Sequence, residues 1–170
     1  MSYYPKAHFP AINWVTYNEP HAIADFVKAQ RGFHKHLKVK PCGVFVCGQY
    51  PFIAASPDAR VTCDCCGDRP LEVKSPFKYR HMSIQNYAVQ KDSCLEILEN
   101  GTIALKYDHT YYTPIQLQIL ATGTDIGYFC MRTTAPECTL HCQEVYMNTD
   151  FLEEAVAKQK FSSGWWWCQN

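Results

Sequence analysis

The sequence is organised around two short segments, Ser-Pro-Asp-Ala-Arg-Val at residues 56–61 and Leu-Glu-Val-Lys-Ser-Pro at residues 71–76. The first is typical of a turn that leads into a strand, because proline and aspartate favour turns. The second is typical of a strand with apolar and charged residues in alternation. Successive side chains of a strand point to opposite faces, so we expect Glu72 and Lys74 to share one face.

The charged residues of these segments predict a metal site. If the segments pair as neighbouring strands, Asp58 lies beside Glu72, and two carboxylates meet the ammonium of Lys74. Such a cluster is costly unless a divalent cation neutralises it. Oxygen ligands suit Mg²⁺ or Mn²⁺, and such an ion beside a lysine can activate water against a phosphodiester. The structural alternative is an ordinary turn followed by the solvated face of a strand.

Together with residues 51–55, the two segments resemble the core of the YqaJ-type viral recombinase family, which is related to lambda exonuclease within the PD-(D/E)XK nuclease superfamily. The family pattern is close to Gly-Ala-Ser-Pro-Asp-Gly, then Leu-Glu-Ile/Val-Lys-Cys-Pro. Ala59 and Ser75 depart from it, but the charged residues match. The resemblance extends from about Tyr17 to Lys160 and implies an α/β (α+β) fold. Its restriction-endonuclease-like core has a central mixed β-sheet flanked by helices.

The resemblance also implies the roles of the charged residues. Asp58 and Glu72 would hold the metal with the carbonyl of Val73, and Lys74 would orient water or stabilise charge on phosphorus. Glu19 matches a helical Glu-x-x-Ala pattern, which implies a third, outer metal carboxylate. The alternative is that Glu19 only interacts favourably with the dipole at the start of its helix.

A second matching pattern implies a helix that borders the active site and contacts the scissile strand. Tyr112, Gln116 and Gln118 match it, whereas Pro114 replaces a family glutamine. We expect Gln116 to hold the nucleophile or the phosphate, and Tyr112 and Gln118 to contact DNA. The alternative is that the glutamines form the exposed face of the helix, which fits Gln118 better than Gln116. The phosphate backbone would be bound by Lys78, Arg80 and His109.

Composition is that of one globular domain with no global attraction to DNA. The 170 residues are 47% hydrophobic and 19% charged, and the formal net charge is zero. A nucleic-acid surface must therefore be local, and basic residues do cluster at 35–40 and 78–81. We found no apolar run long enough to span a bilayer and no signal peptide, so we expect no membrane contact and an intracellular location, nuclear or cytoplasmic.

The predicted domain organisation is an irregular segment at 1–16, a nuclease-like domain at 17–161 and a Trp-rich tail at 162–170. Apolar periodicity and turn residues predict the elements within the domain. They are a helix at 19–33 with Pro20 in its first turn, strands at 43–47, 51–55 and 60–63, a loop at 63–70, a short helix at 81–89, an Asn-Gly hairpin at 95–105, a helix at 114–122, strands at 126–132 and 143–146, and a helix capped at 148–150.

The 10 cysteines are expected to be intracellular thiols or metal ligands, because no secretion signal is present. Cys63 and Cys66 have the spacing of a structural zinc pair. A second pair would have to come from distant residues, namely Cys138, His141 and Cys142, or Cys42 and Cys47. None of these has a standard spacing, so we predict reduced loop thiols, with a structural Zn²⁺ as the alternative.

The resemblance implies a metal-dependent exonuclease that digests one strand of double-stranded DNA from its ends, in recombination or repair. It also implies a homo-oligomer, the ring-shaped trimer of some relatives. Family members carry a basic, serine-bearing segment ahead of the Glu19 helix that receives the 5′ phosphate. We expect this chain to lack it, as a fragment or a diverged gene. The alternative function is a catalytically inactive nuclease-like module that binds nucleic acid or protein.

Overall fold

The computed structural model of the protein describes residues 10–137 and 139–161, with side chains as far as residue 158. Runs of strands are separated by single helices along this part of the chain. Their order is α1 (Pro10–Gln30), β1 (Lys38–Lys40), β2 (Phe45–Val46), β3 (Ala54–Ala55), β4 (Ala59–Cys63), β5 (Gly67–Lys74), α2 (Ile84–Ala88), β6 (Leu95–Ile97), β7 (Ile103–Leu105), α3 (Tyr112–Thr122), β8 (Ile126–Arg132), β9 (Leu140–Tyr146) and α4 (Thr149–Phe161).

Five strands form a central mixed sheet in the order β1-β4-β5-β8-β9. The pair β5 and β8 is parallel, and the other neighbours are antiparallel. Successive side chains of β8 point to opposite faces of the sheet, and each face has its own part of the core. Tyr128 and Cys130 pack with α1, whereas Phe129 and Met131 pack with α3 and α2. The predicted α/β (α+β) fold with a central mixed sheet between helices is confirmed.

Gly127 allows α3 to lie directly on the sheet. A Cβ atom at this position would lie 2.9 Å from Cδ1 of Ile115 and 3.0 Å from Cγ1 of Ile119. A larger residue would have to displace these side chains, because the contacts are closer than carbon atoms normally approach. The glycine therefore leaves room for Ile115 and Ile119 of α3 to pack on β8.

Several predicted elements are found where the sequence placed them. The strand after the Ser-Pro-Asp turn, the long apolar strand β8 and the hairpin at 95–105 are all present, and Gly101 of the hairpin has φ +81°. Helix α3 ends at Gly123, which is left-handed as a C-cap glycine should be. The final helix is capped by Asn148, whose Oδ1 accepts from the Phe151 N–H at 3.1 Å.

The first helix begins earlier than predicted. It starts at Pro10, so the expectation of irregular structure is wrong for residues 10–16, and Pro20 lies inside the helix and not in its first turn. An internal proline costs about 3 kcal/mol or more. Here the buried stripe of Asn18, Ala22 and Phe26, at helical spacing, anchors the helix to the sheet in spite of that cost. Residues 1–9 and the Trp-rich segment at 162–170 lie outside the described residues.

The strands before the Ser-Pro-Asp turn also differ from the prediction. Strands β2 and β3 form a separate two-stranded ribbon outside the central sheet. Val46 is 60% exposed, although its apolar segment at 43–47 is typical of a buried strand. The sheet edge is instead β1, which carries Lys38 and Lys40 of the basic cluster. Lysines on an edge strand disfavour pairing with a further strand. Because two of its three residues are charged, β1 did not match the apolar pattern used to predict strands.

The loop predicted at 63–70 is much shorter in the structure. Strand β5 already begins at Gly67, opposite Cys63, so β4 and β5 form a tight hairpin. Cys130 and Cys142, directly opposite each other on β8 and β9, are joined in a disulfide, so the prediction of thiols is wrong for this pair. Among the described helices, none is long and apolar enough to cross a membrane.

Candidate active site

The β4–β5 pairing brings the two charged segments together. Ala59 lies opposite Leu71, which places Asp58 next to Glu72 at the end of the hairpin ladder. Asp58 is half-buried, and its Oδ2 accepts a hydrogen bond of 2.7 Å from the backbone N–H of Val73. The turn before β4 is thereby fastened to the strand that carries Glu72 and Lys74.

Glu72 is held in a fixed orientation by two neighbours. It is 1% exposed, its Oε1 lies 2.6 Å from Nζ of Lys74, and its Oε2 accepts a 2.6 Å hydrogen bond from Nε2 of Gln118. The Lys74 ammonium also lies over the ring of Tyr111, 5.3 Å from its centroid. Both oxygens of the buried carboxylate thus have a defined partner.

Negative charge is in excess at this point of the molecule. Burial, and then the charge of Glu72, raise the pKa of Asp58 to about 7, although the Val73 N–H and the Lys74 ammonium oppose the shift. The charge of Glu19, on α1, raises the pKa of Asp58 as well. Burial lowers the pKa of Lys74, but Glu72 and Asp58 outweigh it, so this pKa is raised overall. Asp58 and Glu72 therefore share the single ammonium of Lys74, and the charge of Glu19 adds to the repulsion at Asp58.

The residues present fit a hard divalent cation. Carboxylate and carbonyl oxygens are the ligands that Mg²⁺ and Mn²⁺ prefer. A cation would relieve the repulsion between Asp58 and Glu72 that raises the pKa of Asp58. In addition, Oε1 of Gln118 is buried and has no hydrogen-bond partner among the described residues. Buried acceptors are normally satisfied, so this oxygen marks a place for water or an ion.

The two glutamines of α3 lie on different sides of the helix. Gln116 is fully buried, donates to the Tyr146 carbonyl at 2.8 Å and accepts from the Asn148 N–H at 2.8 Å. These two bonds hold the segment that leads into α4, so the structure gives no support to the expected catalytic role of Gln116, which stays a prediction. Gln118 is 4% exposed and contacts Glu72, so the alternative that the glutamines form an exposed face is wrong. Side chains two positions apart in a helix point about 200° apart, so Gln116 and Gln118 face different parts of the molecule.

The tyrosine expected to contact DNA is also turned away from the site. Tyr112 is 4% exposed, accepts a 3.3 Å hydrogen bond from Asn148 Nδ2 and packs edge-on against Phe151. This placement gives no support to DNA contact by Tyr112, which stays a prediction. Its neighbour Tyr111 faces Lys74 instead. The signal in the sequence is the spacing of Tyr111 and Gln118, since seven residues are two helical turns and lie on one face.

The three expected backbone-binding residues are held by contacts within the protein. Lys78 Nζ lies 2.7 Å from an Asp92 carboxylate oxygen, and Arg80 donates to the Phe77 carbonyl at 2.7 Å. His109 Nδ1 accepts from the backbone N–H of Tyr111 at 3.1 Å. Burial, and then the charge of Lys106, lower the pKa of His109. Contact of these residues with DNA stays a prediction.

A second group of metal-binding residue types lies at the other end of the β4–β5 hairpin. It consists of His34, Cys63, Cys65 and Cys66, whose ligand atoms all lie within 4.8 Å of one another. The partners that the sequence suggested for Cys63 and Cys66 are not in this group.

Those suggested partners are engaged elsewhere or not described. Cys142 is in the disulfide, His141 contacts Gln143, and Cys42 lies 3.4 Å from the Pro57 carbonyl. Cys47 is buried beside α3 and α4, and Cys138 is outside the described residues. The sequence did not reveal His34 as a partner, because it lies 29 residues before Cys63.

Comparison with known proteins identifies relatives of the chain. The YqaJ-like viral recombinase domain family matches residues 3–125. An alkaline exonuclease from Laribacter hongkongensis has a similar structure, with a TM-score of 0.64 and 17% identity over 91% of this chain and 67% of that chain. Its complex with dAMP gives a TM-score of 0.63 and 18% identity over 90% and 66%. The chain thus spans about two thirds of the length of these structures. No curated protein matches it.

Proposed function

The chain belongs to the YqaJ-like viral recombinase domain family, and from this premise we propose that it is a metal-dependent exonuclease acting on the ends of double-stranded DNA. The observation that carries the proposal is the convergence of Asp58, Glu72 and Lys74 on adjoining strands. We place its role in DNA recombination or repair. The homo-oligomer, a ring-shaped trimer in some relatives, is part of the same proposal.

In this proposal Asp58, Glu72 and the carbonyl of Val73 hold Mg²⁺ or Mn²⁺, and Glu19 contributes through water. When bound, such an ion polarises the scissile phosphate and lowers the pKa of a coordinated water. Lys74 orients the attacking water and stabilises the charge that develops on the phosphate oxygens. The ion pair with Glu72 supports this role, because it fixes the ammonium within the site.

The remaining residues orient the reacting groups and bind DNA. Gln118 holds Glu72 in place through its 2.6 Å hydrogen bond, and Tyr111 covers the Lys74 ammonium. Lys78, Arg80 and His109 are proposed to bind DNA phosphates. The alkaline exonuclease of similar structure was solved with dAMP, and a deoxynucleoside monophosphate is the class of product we propose here.

A second candidate function is a nuclease-like module that binds nucleic acid or protein without catalysis. The observation that favours it is the enclosure of Glu72, which is 1% exposed and whose two oxygens are engaged by Lys74 and Gln118. A functional metal ligand would have to exchange one of these contacts for the ion. The two candidates therefore differ in whether Mg²⁺ produces hydrolysis.

The test uses linear, 5′-phosphorylated duplex DNA with Mg²⁺ and compares the parent chain with Lys74→Ala. We expect the parent to release nucleotides from one strand, and the variant to be slower by about 10²-fold or more, as when a transition-state donor is removed. The control is Lys28→Ala, an exposed lysine near the far end of α1. Cleavage of closed circular DNA would instead indicate an endonuclease, and no hydrolysis by the parent would favour the binding module.

A further inference from the structure

The His34 cluster has the dimensions of a tetrahedral metal site. Nδ1 of His34 lies 3.5, 3.4 and 3.5 Å from the sulfurs of Cys63, Cys65 and Cys66 respectively. The Cys65 sulfur lies 3.4 Å from that of Cys63 and 3.6 Å from that of Cys66. A tetrahedral zinc, with Zn–S of about 2.3 Å and Zn–N of about 2.0–2.1 Å, places its ligand atoms roughly 3.5–3.8 Å apart. The five distances agree with that arrangement.

Hydrogen bonding alone does not account for the cluster. An imidazole nitrogen carries either one proton or one lone pair, so Nδ1 of His34 can satisfy only one of three equidistant thiols. Three sulfurs and one nitrogen around a common centre are, however, the ligand set of a structural zinc site. Thiolate and imidazole ligands favour zinc over the hard cations suited to the carboxylate site.

The surroundings of the cluster offer partners to the outer nitrogen of the histidine. Nε2 of His34 lies 3.3 Å from the Gln30 side-chain oxygen and 3.5 Å from the Tyr128 hydroxyl. The tautomer in which Nε2 donates to Gln30 leaves the lone pair of Nδ1 for the metal. Such outer hydrogen bonds are the usual support of metal-bound histidines. In addition, the backbone N–H of Lys35 donates to the sulfur of Cys65, and the N–H of Asp64 donates to the Lys35 carbonyl at 3.0 Å.

We propose that His34, Cys63, Cys65 and Cys66 bind one structural Zn²⁺ ion. Four protein ligands leave no open coordination position, which is the property of a structural and not a catalytic zinc. The ion would join the segment after α1 to the turn between β4 and β5. It would thereby fix α1, which carries Glu19, against the hairpin that carries Asp58 and Glu72 at its other end.

The zinc site is separate from the proposed exonuclease site. The five residue steps of extended strand from Gly67 to Glu72 span roughly 17 Å. The ligands of the two sites are also different, since the zinc ligands are nitrogen and sulfur and the carboxylate site offers oxygen. The zinc proposal therefore stands even if the chain hydrolyses no DNA.

The test measures the metal content of the full chain, expressed with Zn²⁺ and purified without chelators. We expect about one zinc per chain, and Co²⁺ exchanged for it should give the visible bands of tetrahedral cobalt with thiolate charge transfer. The double variant His34→Ala/Cys66→Ser should contain less than about a tenth of a zinc ion per chain. Cys42→Ser, a matched control outside the cluster, should keep the full amount.

Several outcomes would overturn the proposal. They are a folded parent without zinc, iron with inorganic sulfide in its place, a cobalt spectrum without thiolate charge transfer, and zinc retained by the double variant. If the double variant does not fold, the cobalt spectrum of the parent tests the proposal by itself, and a spectrum without thiolate charge transfer contradicts it. Lys74→Ala should keep its zinc while losing hydrolysis, so failure of the exonuclease proposal and failure of this one give different results.

Discussion

At the scale of single residues, the candidate site depends on a buried ion pair between Glu72 and Lys74. Side-chain exposures of 2% and 11% mean that both charges have left bulk water. Removing one partner of a buried pair typically costs about 3–5 kcal/mol, because the other charge is left uncompensated. The Lys74→Ala variant should therefore have a lower free energy of unfolding than the parent when no metal is bound. The hydrolysis rates of parent and variant should be compared per folded molecule.

The raised pKa of Asp58 predicts an unusual dependence of stability on pH. In the folded chain this pKa is about 7, against an ordinary value of 3.8. Between these values the native state holds a proton that the unfolded chain has lost. The contribution of Asp58 to stability is therefore fully present below about pH 4 and is lost as the pH rises to about 7. Burial, and then the charge of Glu72, raise this pKa, the Val73 N–H and the Lys74 ammonium lower it, and Glu19 adds a smaller upward shift.

Urea unfolding in Mg²⁺-free buffer checks this prediction. Between pH 5 and pH 7.5 the parent should lose about 2 kcal/mol more free energy of unfolding than Asp58→Asn, which cannot titrate at this position. Chelators are avoided, so that the proposed zinc site stays filled. An equal pH dependence in parent and variant would contradict the raised pKa.

At the scale of elements, one side of helix α3 contacts the candidate active site and another side stabilises the fold. Gln116 makes two partly buried hydrogen bonds to the connection between β9 and α4, and Gln118 makes a buried one to Glu72. We expect Gln116→Ala to lower the free energy of unfolding by about 2–3 kcal/mol, because two backbone groups lose their partner. Its hydrolysis rate per folded molecule should stay close to that of the parent.

Gln118→Ala is the matched comparison on the same helix. It should reduce the hydrolysis rate by about 10-fold or more, because Glu72 loses the contact that orients it. Unfolding curves and initial rates on linear duplex DNA separate the two effects. A larger loss of rate in the Gln116 variant than in the Gln118 variant would contradict this assignment of the two sides.

The sequence predicts elements best where one pattern decides them. Strand alternation placed Glu72 and Lys74 on one face, and the expected pairing of the two segments as neighbouring strands placed Asp58 beside Glu72. Helix α3 was predicted, but the residues of α3 that face the site were not. Each step along a helix changes the direction of the side chain by about 100°, so a shift of one residue changes which side chains face the site. The start of α1 was missed because Pro20 argues for a first turn, and burial against the sheet outweighs that local signal. His34 was missed because only the fold brings it to the cysteines.

At the scale of the whole molecule, zero net charge means that attraction to DNA depends on local basic groups. We expect Lys78→Ala to weaken binding to duplex DNA without regard to sequence, and to reduce the slope of log affinity against log salt by about one. The effect is measured by fluorescence anisotropy with Ca²⁺ in place of Mg²⁺.

The control for this prediction is Lys28→Ala, in the last turn of α1. Nine residue steps along the helix separate it from Glu19 by roughly 13 Å. The salt slope of this variant should equal that of the parent. The same decrease in both variants would mean that the basic residues act through the overall charge and not through a defined contact.

The central claim is that Asp58 and Glu72 bind a hard cation, and Mn²⁺ titration in the absence of DNA tests it most directly. The zinc-loaded parent should bind Mn²⁺ in competition with Mg²⁺, and Glu72→Gln should bind it at least about 10-fold more weakly, since one anionic ligand is lost. Glu144→Gln, which removes a carboxylate paired with Arg69, should bind like the parent. Equal Mn²⁺ affinity in the parent and in Glu72→Gln would contradict the claim.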